Sequence, residues 1–182
     1  MKVAVSRYHS LIVALHWLVA VLIVSNLVAG KFLLDDAPNT ADKLPVLRAH
    51  MTIGLIVLAL TIVRLPVRMF TAKPAIPHRS RALKWLAVAN HWLLYLVVLS
   101  TISTGLGVAA FANLWPLLRG EQVDLPVSFE KLEPFIGHQF FVTALAVLIL
   151  LHLAGVAYHW LVHRENILPR MWFGARAGDK TP

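Results

Sequence analysis

The chain of 182 residues contains no cysteine. This absence excludes disulfides, cysteine-ligated zinc, iron–sulfur clusters and haem attached covalently to the chain. Charged residues are also scarce, at 14% of the sequence against roughly a quarter in an ordinary soluble domain. Because 58% of the residues are hydrophobic, the composition indicates an integral membrane protein.

Four long apolar segments account for this composition, and they cover residues 6–28, 45–65, 83–111 and 135–162. Each reaches the length of about 20 residues that crosses the hydrocarbon core, and each must be helical because lipid offers the backbone no hydrogen-bond partners. The sequence therefore predicts a single all-α domain over residues 1–182, an integral membrane four-helix bundle surrounded by lipid. The first segment begins like a signal peptide, but its apolar run is long and no clear cleavage site follows, so we expect it to be retained.

Lysine and arginine are distributed unevenly around these segments. Twelve of the 17 lie on the side that holds both termini and the loop between the second and third segments. Seven of the nine acidic residues lie on the opposite side. Since basic residues favour the cytoplasmic face, both termini are predicted to be cytoplasmic. The net charge of +8 comes from basic residues clustered beside the apolar segments, as in a membrane protein with a basic cytoplasmic side. We therefore expect no nucleic-acid partner.

Histidine is the strong metal ligand that remains, with nine in the chain. Six are predicted to lie at membrane depth: His16, His50, His91, His138, His152 and His159. The other three are expected at or beyond the membrane interface: His9, His78 and His163. Polar side chains are costly inside a membrane and usually face the bundle interior with a function, so six of them together indicate a cofactor site.

The fourth segment shows how these histidines are arranged. His138 and His152 are 14 residues apart, which places them within about 40° of one helix face and about 21 Å apart along the axis. His50 is level with the first of them. His16 and His91 are both level with the second, and depth alone does not choose between these two.

Two layers of facing histidines suit the axial positions of two haems. None of the four segments contains Asp or Glu, which disfavours zinc and carboxylate-bridged di-iron sites, and copper at histidine pairs is a weaker alternative. A haem held by imidazoles alone is a b-type haem. Three glycines lie within four residues of candidate ligands: Gly54, Gly137 and Gly155. They would allow a porphyrin to approach the helix closely, or they would serve ordinary helix packing.

Four stretches of sequence then carry a family resemblance: SRYHSLIVALHWL, RAHMTIGLIVLALTIVRLPVR, NHWLLYLVVLSTISTGL and GHQFFVTALAVLILLHLAGVAYHWLVHRENILPRM. In order and spacing, over nearly the whole chain, they resemble the bacterial cytochrome b561 family of the superoxide oxidase type, which is related to the cytochrome b subunits of formate dehydrogenase and nickel–iron hydrogenase. The resemblance implies two b haems in the bacterial inner membrane. It implies His50 and His138 as the outer pair and His16 and His152 as the inner pair.

The same resemblance implies an oxidoreductase that moves electrons between an outer-face donor, superoxide, and membrane ubiquinone. We place His91 and His159 in a quinone pocket as a hypothesis, against the simpler interpretation of hydrogen-bonded interfacial histidines. Arg48 is the candidate for attracting superoxide, and its alternatives are a haem propionate partner or an interface anchor. The outer loops carry seven acids against five bases, which does not favour an anion.

Two other functions remain open at this stage. The chain would serve as the haem-bearing membrane anchor of a larger dehydrogenase if it passes electrons from a redox partner protein to quinone. It would be a haem-free transporter or metal carrier if the buried histidines bind no haem, and it would then show no visible absorption.

Overall fold

The computed structural model describes residues 6–74 and 80–174, and the predicted position of His78 lies outside them. Within these residues the protein is all helical. The helices in chain order are α1 (Ser10–Ala29), α2 (Leu44–Phe70), α3 (Arg81–Phe111), the short α4 (Trp115–Leu118) and α5 (Glu133–Leu161). The four longer helices are apolar and long enough to cross a membrane. The predicted all-α membrane bundle is therefore confirmed.

The helix bounds differ from the predicted ones by a few residues. Helix α1 begins at Ser10, capped by the side chain of His9, and continues beyond Ala29 as a π-helical stretch over Gly30–Asp35. Helix α2 runs on to Phe70 through Pro66, where the predicted segment stops near residue 65. A proline removes one internal hydrogen bond, and membrane helices tolerate this where neighbouring groups compensate.

The helix directions give the bundle two different ends. We name the end that carries loops 30–43 and 112–132 the loop end, and the end that carries residues 6–9, 71–74 and 162–174 the basic end. At the basic end the C-terminal segment fastens α1, because Trp17 Nε1 donates a hydrogen bond to the Met171 carbonyl at 2.8 Å. At the loop end the two loops are joined by Asn39, whose amide donates to the Pro126 carbonyl at 2.9 Å.

An apolar layer fills the middle of the bundle. It is formed by five buried residues: Val19, Val57, Val97, Val98 and Leu145. On α5, Leu145 is seven residues from both His138 and His152, and on α2, Val57 is seven residues after His50. Seven residues are almost two helical turns, so these side chains share one face at steps of about 10 Å. The layer therefore lies between the histidines of the loop end and those of the basic end.

The outer surface of the bundle is apolar as well. Helix α3 packs along α5, and α1 packs along α2. Large aliphatic side chains on the outward faces stay exposed, with 63% of Val21, 60% of Leu96 and 66% of Leu150 accessible. A helix that is apolar on every face needs lipid on the faces that protein leaves uncovered, so contact with lipid follows from the packing.

Candidate functional site

The loop end brings His50 and His138 together as the sequence predicts. His50 projects from α2 and His138 from α5, and their ring centroids are 6.2 Å apart with the ring planes at 79°. Both rings line a cavity of about 490 Å³ between the helices and the outer loops, within the usual range for small-molecule sites. The lining is largely apolar, and its charged side chains are Lys31, Asp35, Lys43 and Glu130.

The orientation of His138 is fixed by α3. Its Nδ1 lies 2.9 Å from the backbone carbonyl of Thr101. A carbonyl only accepts hydrogen bonds, so Nδ1 carries the proton and Nε2 keeps its lone pair. A histidine that binds a metal is commonly held this way, with one ring nitrogen tied to an acceptor and the other left for the ion.

Two glycines that the sequence reasoning missed make room for this pair. A Cβ added to Gly105 on α3 would lie 3.1 Å from His138 Cε1, and one added to Gly30 would lie 3.5 Å from His50 Cε1. The glycines next to the ligands in sequence behave differently. A Cβ at Gly137 would meet Thr104, which indicates helix packing. The role of Gly105 is visible only from the packing of α3 against α5, because the third segment contains no histidine at the loop end next to which a glycine would be noticed.

The remaining predicted glycines are not in contact with the histidines. The nearest atom to a Cβ at Gly54 would be Asn26 Nδ2 at 3.9 Å, and a Cβ at Gly155 would meet nothing within 4 Å. Asn26 donates from the same nitrogen to the His50 carbonyl at 3.2 Å, so it supports the α2 backbone at the ligand.

The basic end gathers three histidines. The ring centroids of His16 and His152 are 6.2 Å apart, and those of His91 and His152 are 5.4 Å apart. His91 Nδ1 lies 2.6 Å from the carbonyl of Ala87, one turn earlier on α3. His16 Nδ1 instead lies 2.8 Å from Arg64, which is a donor only. The structure thus brings together both histidines that the depth argument left as candidates.

The geometry of two of these pairs can be compared with that of a six-coordinate metal. Two imidazoles that bind one ion from opposite sides at about 2 Å have ring centroids about 6 Å apart. His50 with His138 and His16 with His152 both meet this distance, at 6.2 Å each. At the loop end His50 Nδ1 is also buried without a hydrogen-bond partner among the described residues. The residues at the loop end therefore fit a b haem that two histidines would hold, and the ring separation at the basic end is compatible with a second one.

Comparison with known protein families identifies the fold. The family model described as prokaryotic cytochrome b561 matches residues 7–174, which is nearly the whole chain. The chain belongs to the prokaryotic cytochrome b561 family. Neither the comparison with curated proteins nor the comparison with solved structures gave a match.

Membership in the family confirms the coarse prediction of function. This cytochrome is a multi-pass membrane protein with an electron-transfer role, and haem b is the cofactor typical of its family. When bound, a b haem supplies an iron centre that accepts and releases one electron at a time. The protein contributes ligands, position and electrostatic environment.

His159 lies in a different group of the cytochrome from His91. Its Nδ1 is 3.6 Å from Glu165 Oε2, and its ring contacts those of Tyr158 and His163 at centroid distances of 6.4 and 5.6 Å. His91 faces His152 instead. The two histidines predicted for a quinone pocket thus mark two neighbouring parts of the basic end.

Arg48 does not line the loop-end cavity of the cytochrome. Its side chain is exposed, and one guanidinium nitrogen would lie 3.2 Å from a Cβ at Gly120, in the loop after α4. The cavity is lined instead by Lys31 and Lys43. Lys43 is only 8% exposed, an unusual degree of burial for lysine that the sequence reasoning did not predict.

Proposed function

We propose that the chain carries electrons from superoxide, at the loop end, to ubiquinone, at the basic end, through two b haems. The loop-end haem is held by His50 and His138, and the basic-end haem by His16 and His152. The observation that supports this most strongly is the 6.2 Å centroid separation in both pairs, with an apolar layer between them. Two sites stacked in this way suit transfer of single electrons across the bundle.

The proposed orientation follows from charge. Lysines and arginines concentrate at the basic end, so that end belongs in the cytoplasm and the loop end outside the bacterial inner membrane. The net reaction is balanced by two superoxide ions, one quinone and two protons, which give two molecules of oxygen and one quinol. Each superoxide loses one electron, and the quinone gains two electrons and two protons.

The chemistry of the loop end supports an anionic electron donor at Lys43. Its Nζ donates to the Ala37 carbonyl at 2.9 Å and to Asn39 Oδ1 at 2.8 Å, both uncharged acceptors. No carboxylate of the described residues is within ion-pair distance of it. Lys31, by contrast, pairs with Asp35 at 2.6 Å. Lys43 therefore forms no ion pair among the described residues, although the carboxylates of Asp35 and Glu130 line the same cavity.

A second loop-end base is neutralised as well. Arg119 Nε donates to Glu121 Oε1 at 2.5 Å, and this hydrogen bond holds the pKa of the Glu121 carboxyl below its usual range. The excess of acids in the loops thus partly cancels within local pairs. With Asp35 paired to Lys31, the ammonium of Lys43 is our candidate for attracting an anion to the cavity.

We expect Lys43→Gln to slow the reduction of the haems by superoxide about threefold to tenfold at low ionic strength, because one steering charge is lost. Lys43→Arg should keep most of the rate, and Arg48→Gln should change it less than Lys43→Gln does. The measurement is stopped-flow haem reduction by superoxide with ubiquinone present, at several salt concentrations and at equal haem content. A large loss in Arg48→Gln with none in Lys43→Gln would make Arg48 the steering residue.

The same assay separates the proposed enzyme from the membrane anchor. Turnover of superoxide and quinone by the purified chain alone supports the oxidoreductase. A protein with both haems and no turnover, which gains activity only with a co-purifying dehydrogenase, would favour the anchor function.

The quinone site is proposed at His91 and His159. His159 combines a ring near the basic-end surface with Glu165 at 3.6 Å, a pairing suited to passing a proton to a reduced quinone. His91 contacts His152 and so lies next to the proposed haem ligand. A hydrogen bond from either imidazole would hold a quinone carbonyl within reach of the basic-end haem.

Replacing His159 with Ala is expected to slow ubiquinone reduction at least tenfold while haem content and superoxide-driven haem reduction stay unchanged. His163→Ala, which removes a neighbouring ring in the same group, is the matched control and should have a smaller effect. The measurement is the rate of quinol formation from pre-reduced protein, compared between the two variants and the unaltered protein. Unchanged quinol formation in His159→Ala at full haem content would remove His159 from the quinone site.

A further inference from the structure

Arg64 is a charged residue in the interior of the basic end. It lies on α2, seven residues after Val57 of the apolar layer and 14 after His50, so it shares their face. Its Nη2 is 2.8 Å from His16 Nδ1, and its guanidinium carbon is 5.5 Å from the centroid of the Tyr95 ring. Its Nε is buried without a hydrogen-bond partner among the described residues.

A second arginine adds to this charge. Arg68, one turn further along α2, places its guanidinium carbon 5.4 Å from the same Tyr95 ring. In the part of the chain that the structure describes, the ion pairs lie elsewhere, and no carboxylate pairs with Arg64 or Arg68. A buried cation without a counter-ion is strongly unfavourable, and more so at membrane depth. The site therefore calls for an anion that the neighbouring side chains do not supply.

The contact between Arg64 and His16 would change if His16 bound haem iron, and this change indicates which anion Arg64 would bind. Arginine has no acceptor, so His16 Nδ1 must accept, and the neutral ring then carries its proton on Nε2. If Nε2 binds iron, the proton moves to Nδ1, and two donors face each other. Arg64 must then turn to another acceptor. The haem that brings the iron also brings two propionate carboxylates, which match a guanidinium in charge and in bidentate geometry.

We propose that Arg64, with Arg68 beside it, binds a propionate of the haem at His16 and His152 and raises the reduction potential of that haem above that of the loop-end haem. The inference rests on the proposed haem at this histidine pair. A positive charge favours the reduced centre, which carries one positive charge fewer than the oxidised centre. Electrons that enter at the loop end are thereby drawn toward the quinone side.

The loop-end pair offers a contrast that makes this difference specific. There, His138 Nδ1 donates a hydrogen bond to a neutral group, the backbone carbonyl of Thr101. The cations that line the cavity are Lys31, paired with Asp35, and Lys43, held by neutral oxygens. Among the described residues, no guanidinium contacts the ring of His50 or His138, whereas that of Arg64 contacts His16.

The test uses the full-length protein with one haem pair removed, so that each potential is read alone. In a His138→Ala background, a spectroelectrochemical titration reports the basic-end haem. Adding Arg64→Gln should shift its reduction equilibrium about tenfold toward the oxidised form, which is 59 mV for one electron. Adding Arg64→Lys instead should restore most of the potential, because the charge returns.

Two comparisons complete the experiment. In a His152→Ala background, Arg64→Gln should leave the potential of the loop-end haem unchanged. If Arg64→Gln prevents haem binding at the basic end, recovery of haem content by Arg64→Lys would also support a charge role, and failure of both variants would oppose it. Equal potentials with Arg, Gln and Lys at position 64 would overturn the inference. A His138→Ala parent without any haem would instead contradict the proposed function itself.

Discussion

Replacing His138 with Ala is expected to remove one of the two proposed haems and leave the other in place. The imidazole faces His50 at 6.2 Å, and the Thr101 carbonyl fixes its orientation, so the substitution removes a proposed ligand that is already positioned. His152 lies 14 residues further along α5, beyond the apolar layer at Leu145, and should keep its site. Haem per chain, measured by pyridine haemochrome, should fall to about half, since each pair holds one of two haems.

The matched variants lie on the same helix or just after its end. His152→Ala should also halve the haem content but remove the other haem, so the two variants should differ in spectrum and potential. His163→Ala, beyond the end of α5, should retain both haems. Full haem content in His138→Ala, or loss of both haems, would contradict the assignment of one ligand to each haem.

The second large effect is expected from Gly105→Val on α3. A Cβ there would already lie 3.1 Å from His138 Cε1, and the branched side chain adds two methyl groups at the same place. Overpacking of this kind typically costs about 1–3 kcal/mol, and here the strain acts on the ligand ring itself. We expect loss of most loop-end haem, with the basic-end haem retained, in a difference spectrum of the purified variant.

Ser103→Val is the control for this change. Ser103 is two residues earlier on α3 and exposed on the outward side, so the same side chain is added to the same helix without touching His138. It should bind haem like the unaltered protein. If Gly105→Val bound both haems with unchanged potentials, Gly105 would be a packing residue only.

The features that the sequence predicts well are those that one helix encodes alone. The length of the apolar segments predicts four membrane helices, and the spacing of His138 and His152 on α5 predicts two layers of ligands. Both depend only on helical rise and rotation per residue. The end of α2 is less predictable, because Pro66 ends many helices but is tolerated inside this one.

Features that depend on packing between helices escape the sequence. Gly105 matters because its face of α3 meets His138 on α5, and Lys43 is buried because both outer loops fold over it. Arg64 counts, in the sequence, as one more base near the cytoplasmic end of a helix. Its contact with His16 exists only once α1 and α2 are packed together.

The choice between His16 and His91 shows the same limit. Depth placed both next to His152, and the structure does bring both rings to it, at 6.2 and 5.4 Å. The family resemblance favours His16 as a ligand, and the separation of 6.2 Å is the one closer to that of two imidazoles at one ion. His91 stays a predicted quinone residue, and the rate of quinol formation by a His91→Ala variant at full haem content would test that prediction.

We propose that this cytochrome holds two b haems, one at each histidine pair. The most direct measurement is a dithionite-reduced minus air-oxidised spectrum of the purified protein, with haem counted per chain after growth with adequate haem supply. We expect two low-spin b haems per chain, with the spectrum of bis-histidine ligation. One haem per chain would show that one of the two pairs is wrong, and no haem would contradict the electron-transfer function altogether.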